Sequence, residues 1–470
     1  MKTPLLLLAT LAVWCVACAP PAARMADADP MNAAPAVAVP NTPAQSTTLV
    51  LHAMAEHPLV KTGSGDDLHV LLKTTAIRDT SHTDRLPLNL AVVIDKSGSM
   101  EAAGKLEYVK DAFDKLVDNL DAEDRLTIVA YDSDVRVLRG ADAAVLDKAE
   151  AKKLVRQLHP GSGTNLSGGM LQGYAEALKM KRDGYVNRVL LLSDGLANEG
   201  ITSPVELKRI ISNKFEKDGI ALSTFGVGAE FNEDLMTALA EIGQGNYWYI
   251  GSPDRTAAIF QEEMNGLLAV VAQNVLLTLD YPRELVEVKK VWGAEPTIQE
   301  GRITLRLNDA YSGEERNVVV TFAPREGVHG PVKLAARVEY DDVLNTSTRA
   351  AQDAFVAIEA SGDEQAIADA MNAEVTRRQV QYQANWNLEQ AMMEADKGNY
   401  SAAEEMVSAN ATFLQGSFDR VQANTLQTML WSINNSYAGE LKDMEAKPEA
   451  EKKLIQKDSK NKAYRNKKGK

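Results

Sequence analysis

Five nearly continuous apolar runs dominate the middle of this chain: "LNLAVVI" (88–94), "RLTIVAY" (125–131), "RVLLLS" (188–193), "IALSTFGV" (220–227) and "NYWYI" (246–250). A strand that is apolar at consecutive positions must be covered on both faces, which is the situation of an inner strand in a parallel sheet. Between the runs lie segments of helical period. The first carries Leu106, Val109, Phe113, Leu116, Val117 and Leu120 at spacings of three and four, a single apolar helix face. The alternation predicts an α/β domain over residues 87–272, an open, mostly parallel sheet with helices on both faces. The short run "VRVLR" after the second strand predicts an antiparallel ribbon at its edge.

The flanks have a different texture. Residues 47–86 contain "TTLVLHAMA" and "DDLHVLLKTTA", two strand-like stretches around a Gly/Ser turn. Residues 273–361 alternate polar and apolar positions in "NVLLTLDY", "LVEVKKVW", "RITLRL", "RNVVVTF", "VKLAARVEY" and "AFVAIEA", the pattern of antiparallel strands with one face buried. Two strands cannot form a core alone, so those of 47–86 are expected to complete a β-sandwich with 273–361. The α/β domain is then an insertion in that sandwich, which is feasible because domain termini tend to lie close together. Residues 362–446 read as helical. Within them "EQAMMEADKGNYSAAEEMVSANATFL" has a Gly-x-Tyr-x-x-Ala hinge resembling one tetratricopeptide-like hairpin. One such unit is too few for a solenoid, and packing against the sandwich is its expected role.

The chain has 470 residues, 45 % apolar and 25 % charged, enough for two or three globular domains. Its only cysteines are Cys15 and Cys18, so the folded part has no disulfide, thiol nucleophile or thiolate metal site. Lys2 followed by the apolar stretch from Pro4 to Ala17 reads as a signal peptide, too short to span a bilayer. It ends in "CVAC", which resembles a bacterial lipobox with Cys18 as the lipidated residue; Cys15 stands where such boxes usually carry an aliphatic residue. Cleavage after Ala19 is the alternative, since Ala17-Cys18-Ala19 also fits a small-x-small rule. Residues 1–18 are thus the leader, and the Ala/Pro-rich stretch 19–46 is a tether. Export to the cell envelope follows, with anchoring in the outer membrane, on its periplasmic or outer surface, as the expectation. The net charge of −14 argues against a nucleic-acid partner. Residues 447–470 reverse the sign, with ten Lys or Arg against three Asp or Glu. They are expected to be a basic, disordered tail; contact with anionic lipid is the alternative.

Chemistry concentrates where the first run ends, in "DKSGSM". Asp95, Ser97 and Ser99 follow the strand at alternate positions, at the rim where open α/β sheets bind ligands. Alone, such residues are as often turn and helix-cap residues. Two further segments change the reading. "HPGSGTNLSGGM" sets Thr164 in a glycine-flanked loop before a helix, and "LLLSDGLANEG" sets Asp194 at the end of the next long apolar strand. With strand order 3-2-1-4-5-6 the tips bearing Asp95 and Asp194 are neighbours, and Thr164 lies beside them. Two carboxylates and three hydroxyls suit a hard divalent cation: Mg²⁺ takes about six oxygens, few of them carboxylates, and keeps some waters.

Asp95-x-Ser97-x-Ser99, then Thr164, then Asp194-Gly195 resemble the complete metal-ion-dependent adhesion site of the von Willebrand factor type A domain family, over roughly residues 87–272. The resemblance implies a Rossmann-like fold, with Ser97, Ser99 and Thr164 as hydroxyl ligands and Asp95 and Asp194 bound directly or through water. It implies Mg²⁺ as cofactor, with Mn²⁺ or Ca²⁺ as alternatives, and a protein partner whose Asp or Glu completes the metal shell. The layout of tether, inserted domain, sandwich and helical tail is similar to bacterial envelope lipoproteins of this family and to inter-alpha-trypsin inhibitor heavy chains.

Weaker candidates surround the site. Lys96 and His159 are rim candidates; an exposed loop lysine and a histidine away from the site are the bland alternatives. Asp132 and Asp134 in "YDSDV" form either a second cation site or, as expected, a turn. Tyr247, Trp248 and Tyr249 are expected to pack under helices rather than bind a partner. The remaining histidines, His52, His57, His69, His82 and His329, have no ligand spacing for zinc. The expectation is therefore a non-enzymatic, lipid-anchored binding module. A scaffold in which the metal only stiffens the loops is the alternative. Metal-dependent hydrolysis stands third, because two-metal hydrolases use denser carboxylates.

Overall fold

The computed structural model describes residues 48–468 except 62, 79–84, 142–146, 183, 195–196, 229–230, 252, 308, 326–329, 346–347, 422–424 and 443. The leader with Cys18, the tether 19–46, Gly195, His82 and His329 lie outside the described residues. Strands β1 (Leu49–Ala55), β2 (Leu59–Lys61) and β3 (Leu68–Ala76) come before the α/β domain. Within it lie β4 (Leu88–Asp95), β5 (Arg125–Tyr131), β6 (Val135–Arg139), β7 (Val186–Ser193), β8 (Ala221–Val227) and β9 (Gln244–Ile250). Its helices are α1 (Lys105–Asp118), α2 (Lys148–Arg156), α3 (Leu166–Met180), α4 (Pro204–Asp218), α5 (Glu233–Ile242) and α6 (Pro253–Leu268). After it come β10 (Val270–Asp280), β11 (Val286–Trp292), β12 (Pro296–Gln299), β13 (Arg302–Arg306), β14 (Ala310–Tyr311), β15 (Glu315–Pro324), β16 (Val332–Asp342) and β17 (Thr348–Ser361). Helices α7 (Glu364–Asp369), α8 (Ala373–Asp396), α9 (Tyr400–Val421), α10 (Thr425–Lys442) and α11 (Glu449–Lys468) follow.

The α/β sheet runs β6-β5-β4-β7-β8-β9, the 3-2-1-4-5-6 order expected from the sequence. All its neighbours are parallel except the β5–β6 ribbon. β4 and β7 are buried at every position because helices cover both faces. Leu90, Val92 and Ile94 of β4 face the core under α1, while Ala91 and Val93 face the core under α3. The apolar face read on the first helix is real: Leu106, Val109, Phe113, Leu116, Val117 and Leu120 are all buried. Tyr247 and Tyr249 pack in one core and Trp248 in the other, so the aromatic run of β9 is structural.

The flanking segments share sheets. β3 pairs antiparallel with β1 on one side and β15 on the other, giving the order β1-β3-β15-β11, so strands from before and after the α/β domain share hydrogen bonds. The second sheet runs β12-β13-β10-β16-β17-β2, with β14 also on β10. Leu49, Val70 and Phe322 of the first meet Leu277, Leu334 and Val338 of the second in one core. β3 is buried on both faces: Leu68, Val70 and Leu72 face this core, and Leu71 packs with Val319 under Val375 and Tyr382 of α8. The helical hinge turns at Gly398, whose φ of +83° suits glycine; α8 packs on β3 and β15 of the sandwich, and α9 packs on α8.

One expectation fails. The basic tail 447–470 is not a disordered end: 449–468 form α11, which packs on α8 and β9. Ala463 is buried against the helices and Tyr464 in the core of the α/β domain. The Tyr464 ring meets Tyr247 edge-on, with centroids 5.5 Å apart. Three of the basic residues that suggested a solvated segment find acidic or carbonyl partners elsewhere: Lys460 on Asp396 and Asp234, Arg465 on Glu262, Lys457 on the Phe231 carbonyl.

A buried ionic knot joins the two domains. Arg188 of β7 has no exposed surface; its Nη2 donates to Asp309 Oδ2 at 2.8 Å, and Nη1 donates to Ser223 Oγ at 3.2 Å. Glu263 of α6 lies 4.0 Å from Nη1 and accepts from Ser223 (2.6 Å), Asn246 (2.8 Å) and Trp248 (2.8 Å). Burial works against the charge of Arg188, but Tyr311, Asp309 and Glu263 around it raise its pKa.

Candidate metal centre

Asp95 is the last residue of β4, and Asp194 directly follows β7, so parallel pairing of the two strands (Ile94↔Leu192) brings the tips together. Asp95 is wholly buried and fully engaged. Its Oδ1 accepts from the Ser97 N–H at 2.8 Å, an Asx turn that bends the chain off the strand. Its Oδ2 accepts from Ser193 Oγ at 2.6 Å and from the Tyr131 hydroxyl at 3.2 Å. Burial pushes the Asp95 carboxyl up to about 6, against the pull of the Ser193 and Ser97 hydrogen bonds, and the nearby Asp194 adds to the rise. Beyond the turn, Ser97 Oγ and Ser99 Oγ lie 3.1 Å apart.

Thr164 reaches the same place because its loop is stitched to both others. Gly98 N–H donates to the Ser162 carbonyl (2.9 Å), and Gly161 N–H to the Lys96 carbonyl (2.6 Å). On the other side, Thr164 N–H donates to Asn198 Oδ1 at 2.8 Å, and the Thr164 carbonyl accepts from the Asn198 and Glu199 amides, both at 3.2 Å. The glycines flanking Thr164 make this possible. A Cβ on Gly161 would lie 1.9 Å from Asp132 Oδ2, and one on Gly163 would lie 2.2 Å from Glu199 Oε1. Asp132 and Glu199 therefore fold over the loop, Asp132 paired to Lys96 and Glu199 to Ser133 (2.9 Å). Asn165 then caps α3, its Oδ1 accepting from Gly168 N–H at 2.9 Å.

The structure thus gathers Asp95, Ser97, Ser99, Thr164 and Asp194 around one set of stitched loops. Lys96 lies over the Thr164 loop, held by Asp132; Asp132 and Asp134 form the turn into β6, with Asp134 N–H donating to Asp132 Oδ1 at 2.9 Å. His159 is exposed in the connection leading to Thr164. Tyr131, Ser193, Asn198 and Lys105 were not singled out from sequence. Tyr131 and Ser193 did carry a signal, as hydroxyl residues closing apolar runs at the sheet's rim; Lys105 did not, because its partner is remote in sequence.

Does this set fit a divalent cation? Asp194 decides. It is completely buried, its Oδ2 accepts from Lys105 Nζ at 2.9 Å, and its Oδ1 has no hydrogen-bond partner. A buried carboxylate oxygen left unpaired is costly unless a further cation or donor meets it. Asp95, close enough to feel the charge of Asp194, and the hydroxyls of Ser97 and Thr164 on the stitched loops are hard oxygen donors of the kind Mg²⁺ takes. Among the described residues no group of three or more His, Cys, Asp or Glu could hold a metal. The residues fit the group.

The family model of the von Willebrand factor type A domain matches residues 89–262. Over 292 residues the chain is 30 % identical to the uncharacterized protein sll0103 of Synechocystis, covering 59 % of this chain and 67 % of that protein. The chain belongs to the von Willebrand factor type A domain family. It is also 31 % identical over 229 residues to the uncharacterized protein YfbK of Escherichia coli, covering 48 % of this chain and 40 % of YfbK. Identity to human inter-alpha-trypsin inhibitor heavy chain H2 is 26 % over 212 residues, 43 % of this chain and 22 % of that protein. The match thus spans less than half of YfbK and about a fifth of the heavy chain. Among solved structures, a von Willebrand factor type A protein from Catenulispora acidiphila superposes with a TM-score of 0.64 at 17 % identity, covering 81 % of this chain and 88 % of that one. That likeness establishes the shared fold of this type A protein.

Proposed function

We propose that this chain is an exported, lipid-anchored envelope protein that binds an acidic segment of another protein through a divalent cation, Mg²⁺ first. Type A domain proteins often mediate protein–protein interaction and commonly bind a divalent metal. The residues proposed to hold the ion are Asp95, Ser97, Ser99, Thr164 and Asp194. The observation that carries the reading is the buried, unpartnered Oδ1 of Asp194 at a rim where the loops bearing those hydroxyls are hydrogen-bonded to one another and to the segment after Asp194. Such an ion supplies an electrophilic position that a partner's Asp or Glu can fill. The chain's own residues do the rest: Tyr131 and Ser193 fix Asp95, Asn198 fixes Thr164, and the Lys96–Asp132 pair holds the loop in place.

We read the site as a binding centre and not a catalytic one, since its donors serve one ion and two-metal hydrolysis needs more carboxylates. Membrane attachment is proposed through Cys18; among the described residues no helix is long and apolar enough to cross a membrane. The test is capture from envelope extract, comparing the wild-type chain in Mg²⁺, the same chain in EDTA, and Thr164→Ala in Mg²⁺. Partners held only by the wild type with Mg²⁺ support the reading. The same partners under all three conditions overturn it and leave the sandwich and helices as the contact surface.

A further inference from the structure

Lys105 stands in an odd place for a lysine. It is the first residue of α1, where the helix dipole presents partial positive charge and disfavours a cation. It is 7 % exposed, so its ammonium is largely desolvated, at a cost that only a close anion offsets. Its stem lies against Gly228, where an added Cβ would come within 2.6 Å of Lys105 Cε; the φ of +81° there also favours glycine. The anion it meets is Asp194, 2.9 Å away and wholly buried. Lys105 meets only one of the two carboxylate oxygens, and Asp194 Oδ1, wholly buried, is left unpartnered toward a further cation or donor.

Charge counting gives the arrangement a purpose. The fully buried acids of the centre are Asp95 and Asp194. Lys96 and Asp132 neutralise each other at the rim; Glu199, held there by Ser133, keeps its charge but is only half-buried and stands outside the buried set. With Lys105 the buried set carries one net negative charge; without it, two. A divalent ion would then sit in a set that is one positive charge in excess with Lys105, and neutral without it. We infer that Lys105 is a specificity-determining residue of the metal centre, a resident cation that neutralises Asp194 and leaves a bound divalent ion one charge short of compensation, the charge a partner's carboxylate supplies. This rests on the divalent-cation reading above and deepens it. Lys105 weakens the bare ion's hold and strengthens the hold on an acidic ligand.

The experiment uses the full chain and Mn²⁺ as the probe. Free Mn²⁺ counted by electron spin resonance gives the ion's affinity. Water-proton relaxation of the bound ion, titrated with glutarate, gives the affinity for a carboxylate. Lys105→Met keeps the apolar stem against Gly228 and removes the charge. It is expected to bind Mn²⁺ about tenfold more tightly and glutarate about tenfold more weakly, each a change of about 1.4 kcal/mol. Lys105→Arg keeps the charge and is expected to stay within about twofold of wild type in both. Lys105→Gln, which can still donate to Asp194, should follow the Met variant and serves if that variant does not fold. Neutral variants matching wild type in both titrations, or an Arg variant shifting as they do, overturn the inference while leaving the divalent-cation reading standing. A wild-type chain that binds no Mn²⁺ removes both.

Discussion

Asp309→Ala should destabilise the protein far more than an ordinary loop substitution. The Asp309 side chain is 12 % exposed and its carboxylate is 2.8 Å from a guanidinium with no solvent contact. Removing one partner of a buried ion pair typically costs 3–5 kcal/mol, because the other charge stays buried and uncompensated. Here Glu263 remains 4.0 Å from Arg188 Nη1 and Ser223 still accepts a hydrogen bond, so the low end of that range, about 3 kcal/mol, is expected. For a unit of 150–250 residues each kcal/mol is worth about 2–4 °C, giving a fall in melting temperature of roughly 6–12 °C. The double variant Arg188→Met, Asp309→Ala should recover part of the loss, since no cation is stranded and the buried Glu263, though it loses Arg188, keeps three neutral donors. Differential scanning calorimetry of the four proteins in the cycle reads this directly. An Asp309→Ala protein that melts with the wild type, or a double variant less stable than either single one, refutes the reasoning.

Further expectations follow from other residues. Burial pushes Glu233 up to about 7, though Lys460, Lys457 and the Tyr247 hydroxyl pull the other way. Its folded pKa is raised above the unfolded value, so the folded state holds the proton more tightly. Stability should therefore fall between about pH 4.5 and 7, by on the order of 3 kcal/mol, and Glu233→Gln should flatten that slope in urea titrations across the range. Gly169→Ala would set a Cβ 2.4 Å from the Tyr131 ring, which hydrogen-bonds Asp95. Its overpacking cost of about 1–3 kcal/mol exceeds the roughly 1 kcal/mol gained in helix propensity, and a lowered denaturation midpoint is the expected result. Tyr464→Ala should release α11, since the ring is buried and meets Tyr247. Loss of a buried aromatic is worth about 3–5 kcal/mol, enough for amides of 449–468 to exchange much faster in hydrogen-exchange mass spectrometry while β4 and β7 stay protected.

The inner strands were readable because burial on both faces forces consecutive apolar residues, and α1 because a helix against a sheet writes its contact every three or four positions. The site was readable for the same reason: Asp95 and Asp194 break apolar runs at their ends, and the glycines around Thr164 mark a crowded loop. What escaped lay in pairings between remote segments. The basic residues of α11 looked solvated because Asp234, Glu262 and Asp396, which receive Lys460 and Arg465, come from other elements; among its described residues Ala463 and Tyr464 join the apolar cores. Lys105 reads as an ordinary helix-surface lysine until the loop of Asp194 is brought to it. Arg188 reads as a polar strand end, although Asp309 and Glu263 let it be the largest fully buried side chain among the described residues. β2, three half-buried or exposed residues, has no pattern to read; its parallel pairing with β17 comes from the sandwich's edge.

The most direct measurement is anomalous diffraction from crystals of the chain grown in Mn²⁺. One peak within about 2.0–2.3 Å of Ser97, Ser99 and Thr164 hydroxyls or the Asp95 and Asp194 carboxylates, lost in Thr164→Ala, is the predicted result. Density only at surface acids, with Asp194 Oδ1 met by water or a protein donor instead, would contradict it.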